Sequence, residues 1–356
     1  MKKIKKNDIC PCGSGKKFKN CHDKSNKQSS RNFKEDFTQL HRDKRIKDCA
    51  HPNKKECSEK IIKAHSIQNN KIIKQLSKNG KVYMNKPKSQ NPFAVFTEWG
   101  RKEATTFTGF CGYHDKVLFQ PIEDNNFNKS DEHVFLYTYR CLTQNLHNKK
   151  EDTKFYDLAN QKFGTSQEII LLHQGIDSAV SDFIRDKKIF DHALLIKNFS
   201  VIDYIVWEFD YPISFAGSAF EAPTRDLKNR ILQDLTMLDS PIAHLFTTIF
   251  PENERSYCII SWLKADYNIL SPLINQLQQL NDIERKYYLS HRLVKTTDNL
   301  IFSPILIDSM LPYEIENFGF LSQGSFLLEA IFDEPDYKSN ISVDLSDPMY
   351  DLFKKF

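Results

Sequence analysis

The chain has 356 residues, 40% of them hydrophobic and 27 of them Phe, enough for two or three domains with a sizeable core. It contains no run of about 18 uncharged apolar residues, as a membrane-spanning helix requires, and no apolar stretch follows the basic start, which speaks against a secretory leader. A soluble cytoplasmic protein with no membrane partner is expected. The net charge of +4 hides an asymmetry: residues 1–90 carry 25 Lys+Arg against 8 Asp+Glu, and the remainder is acidic. That division points to a polyanion-binding arm on an acidic body, with nucleic acid (DNA or RNA) or the ribosome as partner.

Residues 10–22 read CPCGSGKKFKNCH. Two cysteines one residue apart, then a Cys-His pair after a tight reversal, offer the thiolate and imidazole set that Zn²⁺ takes tetrahedrally: Cys10, Cys12, Cys21 and His22. Gly13 and Gly15 permit the backbone of the reversal, and Pro11 stiffens the short chelate. A segment this small buries no core of its own, so zinc binding and folding should be one event. The stretch resembles the SEC-C motif, the zinc-binding tail of a preprotein translocase that is also appended to many bacterial proteins. The resemblance implies a recruitment module, with the ribosome or a protein as its partner.

Residues 25–47 are polar and charged and read as a linker, with a short helix around 33–40. From 48 to 124 a second Cys/His group is interrupted by the turn signals Asn79-Gly80, Lys86-Pro87, Asn91-Pro92 and Trp99-Gly100. It offers Cys49, His51 and Cys57, then His65 within Lys63-Ala64-His65-Ser66-Ile67, then Cys111-Gly112-Tyr113-His114-Asp115. A C-x2-H step opening a helix is a zinc half-site, and Cys49 with Cys57 completes it if the loop at Pro52 folds back. The ligands are then Cys49, Cys57, Cys111 and His114. A structural finger with His65 in place of Cys49 or Cys57, or with His51 in place of Cys49, is the alternative.

This arrangement resembles the HNH (treble-clef, ββα-metal) endonuclease family. The resemblance implies that His65, on the first strand of a hairpin, is a general base. It also implies that Asp115, just after the second ligand pair, binds a catalytic Mg²⁺ or Mn²⁺. Ala64 stands where the family has an acidic residue, Phe119 falls where a further ligand would, and the segment between His65 and Cys111 is long. Glu123 or Asp124 is a candidate to reach the ion instead.

Apolar residues recur at helical spacing over 131–148 and 166–188. Strand-like runs follow at 201–211, 243–250 and 256–263, the last two flanking a hairpin turn at Pro251-Glu252-Asn253-Glu254. Helices are expected at 266–280 and 282–296, and Cys141 and Cys258 read as buried thiols. Clustered helices and clustered strands without βαβ alternation indicate an α+β fold. Four segments are expected: a zinc knuckle at 1–24, the linker at 25–47, a treble-clef/ββα-metal-like domain at 48–124, and an α+β domain at 131–356. The expected function is zinc binding with metal-dependent nuclease activity, directed against foreign DNA or RNA. A non-catalytic zinc-dependent adaptor for nucleic acid, ribosome or a partner protein is the alternative.

Overall fold

In the run Arg255–Leu263 large side chains fall on both alternations: Tyr257, Ile259 and Leu263 on one, Cys258, Ile260 and Trp262 on the other. Such a strand has two faces to remove from water and settles between two apolar layers. The computed structural model describes residues 7–9, 14–20, 35–36, 38–58, 60–86, 88, 94–164, 167–235, 242–332, 345–346 and 349–356, without side chains at 167–176, 178–179 and 323–332. It forms two compact units, residues 1–45 with 151–174 and residues 46–150 with 175–356. In the first unit, residues 38–43 are helical, and ion pairs join Lys44 to Asp152 at 2.9 Å and Asp36 to Lys162 at 2.7 Å.

In chain order the elements are β1 (Ile61–His65), β2 (Lys81–Met84), β3 (Thr97–Gly100), β4 (Thr106–Cys111), α1 (Gly112–Asp124), α2 (Asp131–Phe163), α3 (Gln167–Leu195), β5 (Ile202–Phe209), β6 (Phe215–Glu221), β7 (Leu245–Glu252), β8 (Arg255–Leu263), α4 (Tyr267–Gln279), α5 (Asp282–Thr296), β9 (Leu300–Phe302), α6 (Pro304–Ser309) and α7 (Pro312–Phe332). The fold is α+β, as the clustering indicated. Seven strands form one antiparallel sheet in the order β3-β2-β9-β6-β7-β8-β5. One face packs on Phe135, Leu142 and Phe190 from α2 and α3. The other packs on Leu270, Leu273, Leu289 and Leu293 from α4 and α5. Among the described residues, no helix is long and apolar enough to cross a membrane.

The expected hairpin turns at Asn253, whose φ of 55° is a conformation asparagine tolerates, with Glu252 paired to Arg255. Helix α5 begins at Asp282 because Asn281 caps it reciprocally with Glu284. Strands β6 and β9 have no counterpart in the sequence expectations. FAGSAFE is rich in small residues because space is short: a Cβ on Gly217 would lie 2.1 Å from Leu300 Cδ2.

A separate two-stranded sheet pairs β1 with β4, and α1 follows directly. Between them the chain leaves to build β2 and β3, which extend the large sheet beyond β9 through Tyr83↔Phe302 and Met84↔Ile301. The long segment between His65 and Cys111 is therefore the edge of the main sheet. Segments 48–124 and 131–356, distinct in composition, share that sheet.

Candidate metal centre

Three pieces of chain meet at the base of the β1–β4 pair. The first, carrying Cys49, lies along β4, with the Ala50 N–H donating to Gly109 O at 2.7 Å. It reverses at Pro52 through a single helical turn, Lys54–Glu56, which delivers Cys57. The third is the junction of β4 and α1, where Cys111 is the helix N-cap and its Sγ accepts from the His114 N–H at 3.5 Å. A thiolate suits that position, because the first turn of a helix presents unpaired N–H groups and a partial positive charge.

The ligand atoms of Cys49, Cys57, Cys111 and His114 all lie within 4.8 Å of one another. The three sulfurs stand 3.4, 3.6 and 3.4 Å from His114 Nδ1. A tetrahedral zinc with bonds of about 2.3 Å to sulfur and about 2.05 Å to nitrogen sets that separation at about 3.6 Å. The residues fit zinc. The four ligands inferred from spacing are brought together, and neither His51 nor His65 is among them.

The surroundings match the charge of such a site, since three thiolates and a neutral imidazole on Zn²⁺ carry a net −1. The buried Lys187 donates to Ala50 O at 2.7 Å and pairs with Asp191, while Lys54 donates to Cys49 O. Burial raises the Cys111 thiol, but hydrogen bonds from the His114 N–H and from Ser58 outweigh it and bring the value down to about 6. Burial and the adjacent Cys49 and Cys111 push Cys57 up to about 11. These thiols do not ionise together unaided, and a cation at their centre removes the conflict. His51 stacks on His114 at 3.8 Å, and burial, then His114 and Lys187, hold it down to about 4, a neutral wall to the site. His114 Nε2 is buried without a hydrogen-bond partner among the described residues, 3.9 Å from Glu56 Oε2. A carboxylate there is the usual outer partner of a metal-bound imidazole.

His65 ends β1 outside this cluster, opposite Thr106. Its Nε2 lies 3.3 Å from the Arg101 carbonyl oxygen. Burial depresses its pKa, Arg101 O opposes that, Arg140 adds to it and Glu123 opposes it. Asp115, in the first turn of α1, is half-buried, and its Oδ1 is enclosed with no hydrogen-bond partner among the described residues. Burial raises its carboxyl to about 6, with Arg140 opposing and Glu123 reinforcing. His65 and Asp115 therefore sense the same two charges.

Those two charges are one ion pair. Arg140 on α2 is 2% exposed, donates from Nη2 to Glu123 Oε1 at 2.6 Å, and lies 3.9 Å over the Phe119 ring. Among the described residues, its Nε and Nη1 have no hydrogen-bond partner. Phe119, at the position where a further ligand was expected, is the platform for this guanidinium. Asp124 is exposed and accepts from Gln120. Sequence reasoning passed over Arg140, although a lone arginine within the apolar run Phe135–Leu142 was a visible signal.

At the amino terminus, Cys10, Cys12, Cys21 and His22 lie outside the described residues. The reversal between them is described: Ile9 bridges Lys17, the Phe18 N–H donates to Asp8 O at 2.8 Å, and Gly15 has φ of 67°. Residues 7–23 match the SEC-C motif family. No solved structure matches the chain.

Proposed function

We propose that the protein is a zinc-stabilised, metal-dependent nuclease related to the HNH enzymes, acting on phosphodiester bonds at His65 and Asp115. The observation that supports this best is the contact between His65 Nε2 and Arg101 O. A carbonyl oxygen only accepts, so Nε2 carries the proton and Nδ1 keeps its lone pair. Burial keeps the ring neutral at neutral pH. A neutral imidazole with a fixed tautomer is what a general base needs.

In this scheme Nδ1 takes a proton from water, and the resulting hydroxide attacks phosphorus in line. The bond to the leaving oxygen breaks as the new P–O bond forms. Asp115 offers an unpartnered, enclosed carboxylate oxygen to a divalent ion. Such an ion, when bound, neutralises charge on the scissile phosphate and on the departing oxygen. The Cys49, Cys57, Cys111 and His114 centre would anchor the first turn of α1, which carries Asp115, to β4, the pairing partner of the strand that ends in His65. The SEC-C motif and the basic residues of the first 90 positions would recruit the protein to nucleic acid, the ribosome or a protein partner.

The test compares wild type, His65→Ala and Asp115→Ala for Mg²⁺- or Mn²⁺-dependent cleavage of plasmid DNA and of RNA. Cleavage by wild type alone is expected. Equal activity in all three proteins removes the assignment. Binding of nucleic acid with no cleavage by wild type favours a zinc-dependent adaptor.

A further inference from the structure

Strand β1 is irregular just before His65. Its pairing with β4 shifts between Ile62 and Ala64, and only Ala64↔Phe107 and His65↔Thr106 follow. A regular ladder therefore does not by itself hold the end of the strand. What holds it comes from the next residue. The Ser66 N–H donates to Thr105 O at 3.0 Å, and Ser66 Oγ lies 3.1 Å from the same oxygen and 3.0 Å from Asn299 Oδ1. Thr105 has φ of 60°, unusual for a β-branched residue and sustained only where its surroundings over-determine it. Arg101, whose carbonyl faces His65, belongs to the same 101–105 turn.

Asn299 is itself fixed on every side by the large sheet. Its Nδ2 donates to Ser218 Oγ at 2.7 Å, its N–H to Thr297 Oγ1 at 3.0 Å, and its carbonyl accepts from the Ser218 N–H at 3.2 Å. Thr297 Oγ1 donates in turn to Ser218 O at 2.9 Å. Ser66, Ser218 and Asn299 are 7%, 2% and 4% exposed, so no water is at hand to replace a lost partner.

We propose that Asn299 is a positioning residue for His65: the buried chain Ser218–Asn299–Ser66 carries the geometry of the central sheet to the turn that sets the imidazole. The assignment rests on the nuclease function proposed above. It gives the large sheet domain a part in the reaction, since a displacement of β6 or β9 moves Ser66 and the acceptor of His65 Nε2 together.

The test uses the full chain with Asn299→Ala and, as a smaller change that removes only a hydroxyl, Ser66→Ala. Steady-state cleavage gives kcat and KM separately across pH, and NMR of histidine-labelled protein follows the His65 ring, assigned with His65→Ala. A misplacement of about 1 Å costs up to about 100-fold in rate. Each variant is expected to lose at least about tenfold in kcat with KM nearly unchanged, and to shift the acid limb and the His65 resonance. The double variant should lose no more than either single one. Variants that bind zinc normally and leave kcat, the acid limb and the resonance unmoved overturn the proposal, as do losses that multiply. If wild type cleaves nothing, the nuclease function falls, and the His65 resonance alone decides: unmoved in both variants, it overturns the positioning role.

Discussion

Arg140 is a cation withdrawn from water whose one hydrogen-bonded anionic partner among the described residues is Glu123, and that dependence makes the effect of Glu123→Ala calculable. Removing one member of a buried pair costs about 3–5 kcal/mol, because the charge left behind is uncompensated. Glu123 is 35% exposed, so water entering the truncated site recovers part of this, and about 2–3 kcal/mol is expected. Arg140→Met should behave differently. It deletes the buried charge and both unpartnered nitrogens, keeps apolar contact with Phe119, and leaves Glu123 in partial contact with solvent. Its cost should stay within about 1 kcal/mol, the lost stacking on the ring being the main penalty. The double variant should match Arg140→Met, giving a coupling of about 2 kcal/mol. Urea titrations of the zinc-loaded proteins at neutral pH, followed by circular dichroism, provide the cycle. If Glu123→Ala costs less than about 0.5 kcal/mol, or less than Arg140→Met, then Arg140 is hydrated and the argument from its burial fails.

Asp115→Asn tests the carboxyl held at about 6. A group raised above its unfolded value near 3.8 favours the folded state only at pH below about 4. That advantage is lost as pH rises through about 6, and a constant penalty remains above it. The amide should therefore stabilise the protein by up to about 3 kcal/mol at pH 7.5 and have little effect at pH 4, while abolishing cleavage; a pH-independent difference in urea midpoint would contradict this. Cys111→Ser keeps an N-cap oxygen but removes a thiolate, and the zinc content by mass spectrometry should fall by about one equivalent. Amide hydrogen exchange at the start of α1 should accelerate with it. Unchanged zinc content in that variant would remove the Cys49, Cys57, Cys111 and His114 cluster as a zinc site.

Residue chemistry made some parts legible in the sequence. Cysteine and histidine at metal-ligand spacing pointed to the four residues that converge at the head of α1, since few other roles need that set. Strands β5, β7 and β8 announced themselves by continuous aromatic and β-branched runs. Strand β6 did not, because Gly217 and its small neighbours answer the close approach of Leu300, a fact of the partner strand. Strand β9 is three residues long and carries no period. The surroundings of His65 were illegible for a similar reason: Arg101 O reaches it only through the β1–β4 pairing, and Asn299 reaches the neighbouring Ser66 only through a strand order that returns Ile301 beside Met84. Arg140 looked like an interruption in a core helix, and its meaning appears only beside Glu123 and Phe119.

The excursion of the chain from β1 into β2 and β3 has a consequence for synthesis on the ribosome. Strands β1 and β4 and the Cys3His residues have all been synthesised once His114 is added. Strand β2, in contrast, waits for β9, more than 200 residues downstream, an interval of about 10–40 s at ordinary translation rates. During that time its outer edge has no hydrogen-bonding neighbour and is open to mispairing. Asn299 arrives at the same late moment, so a nascent chain can bring the Cys3His residues together well before it can complete the Ser218–Asn299–Ser66 hydrogen bonds.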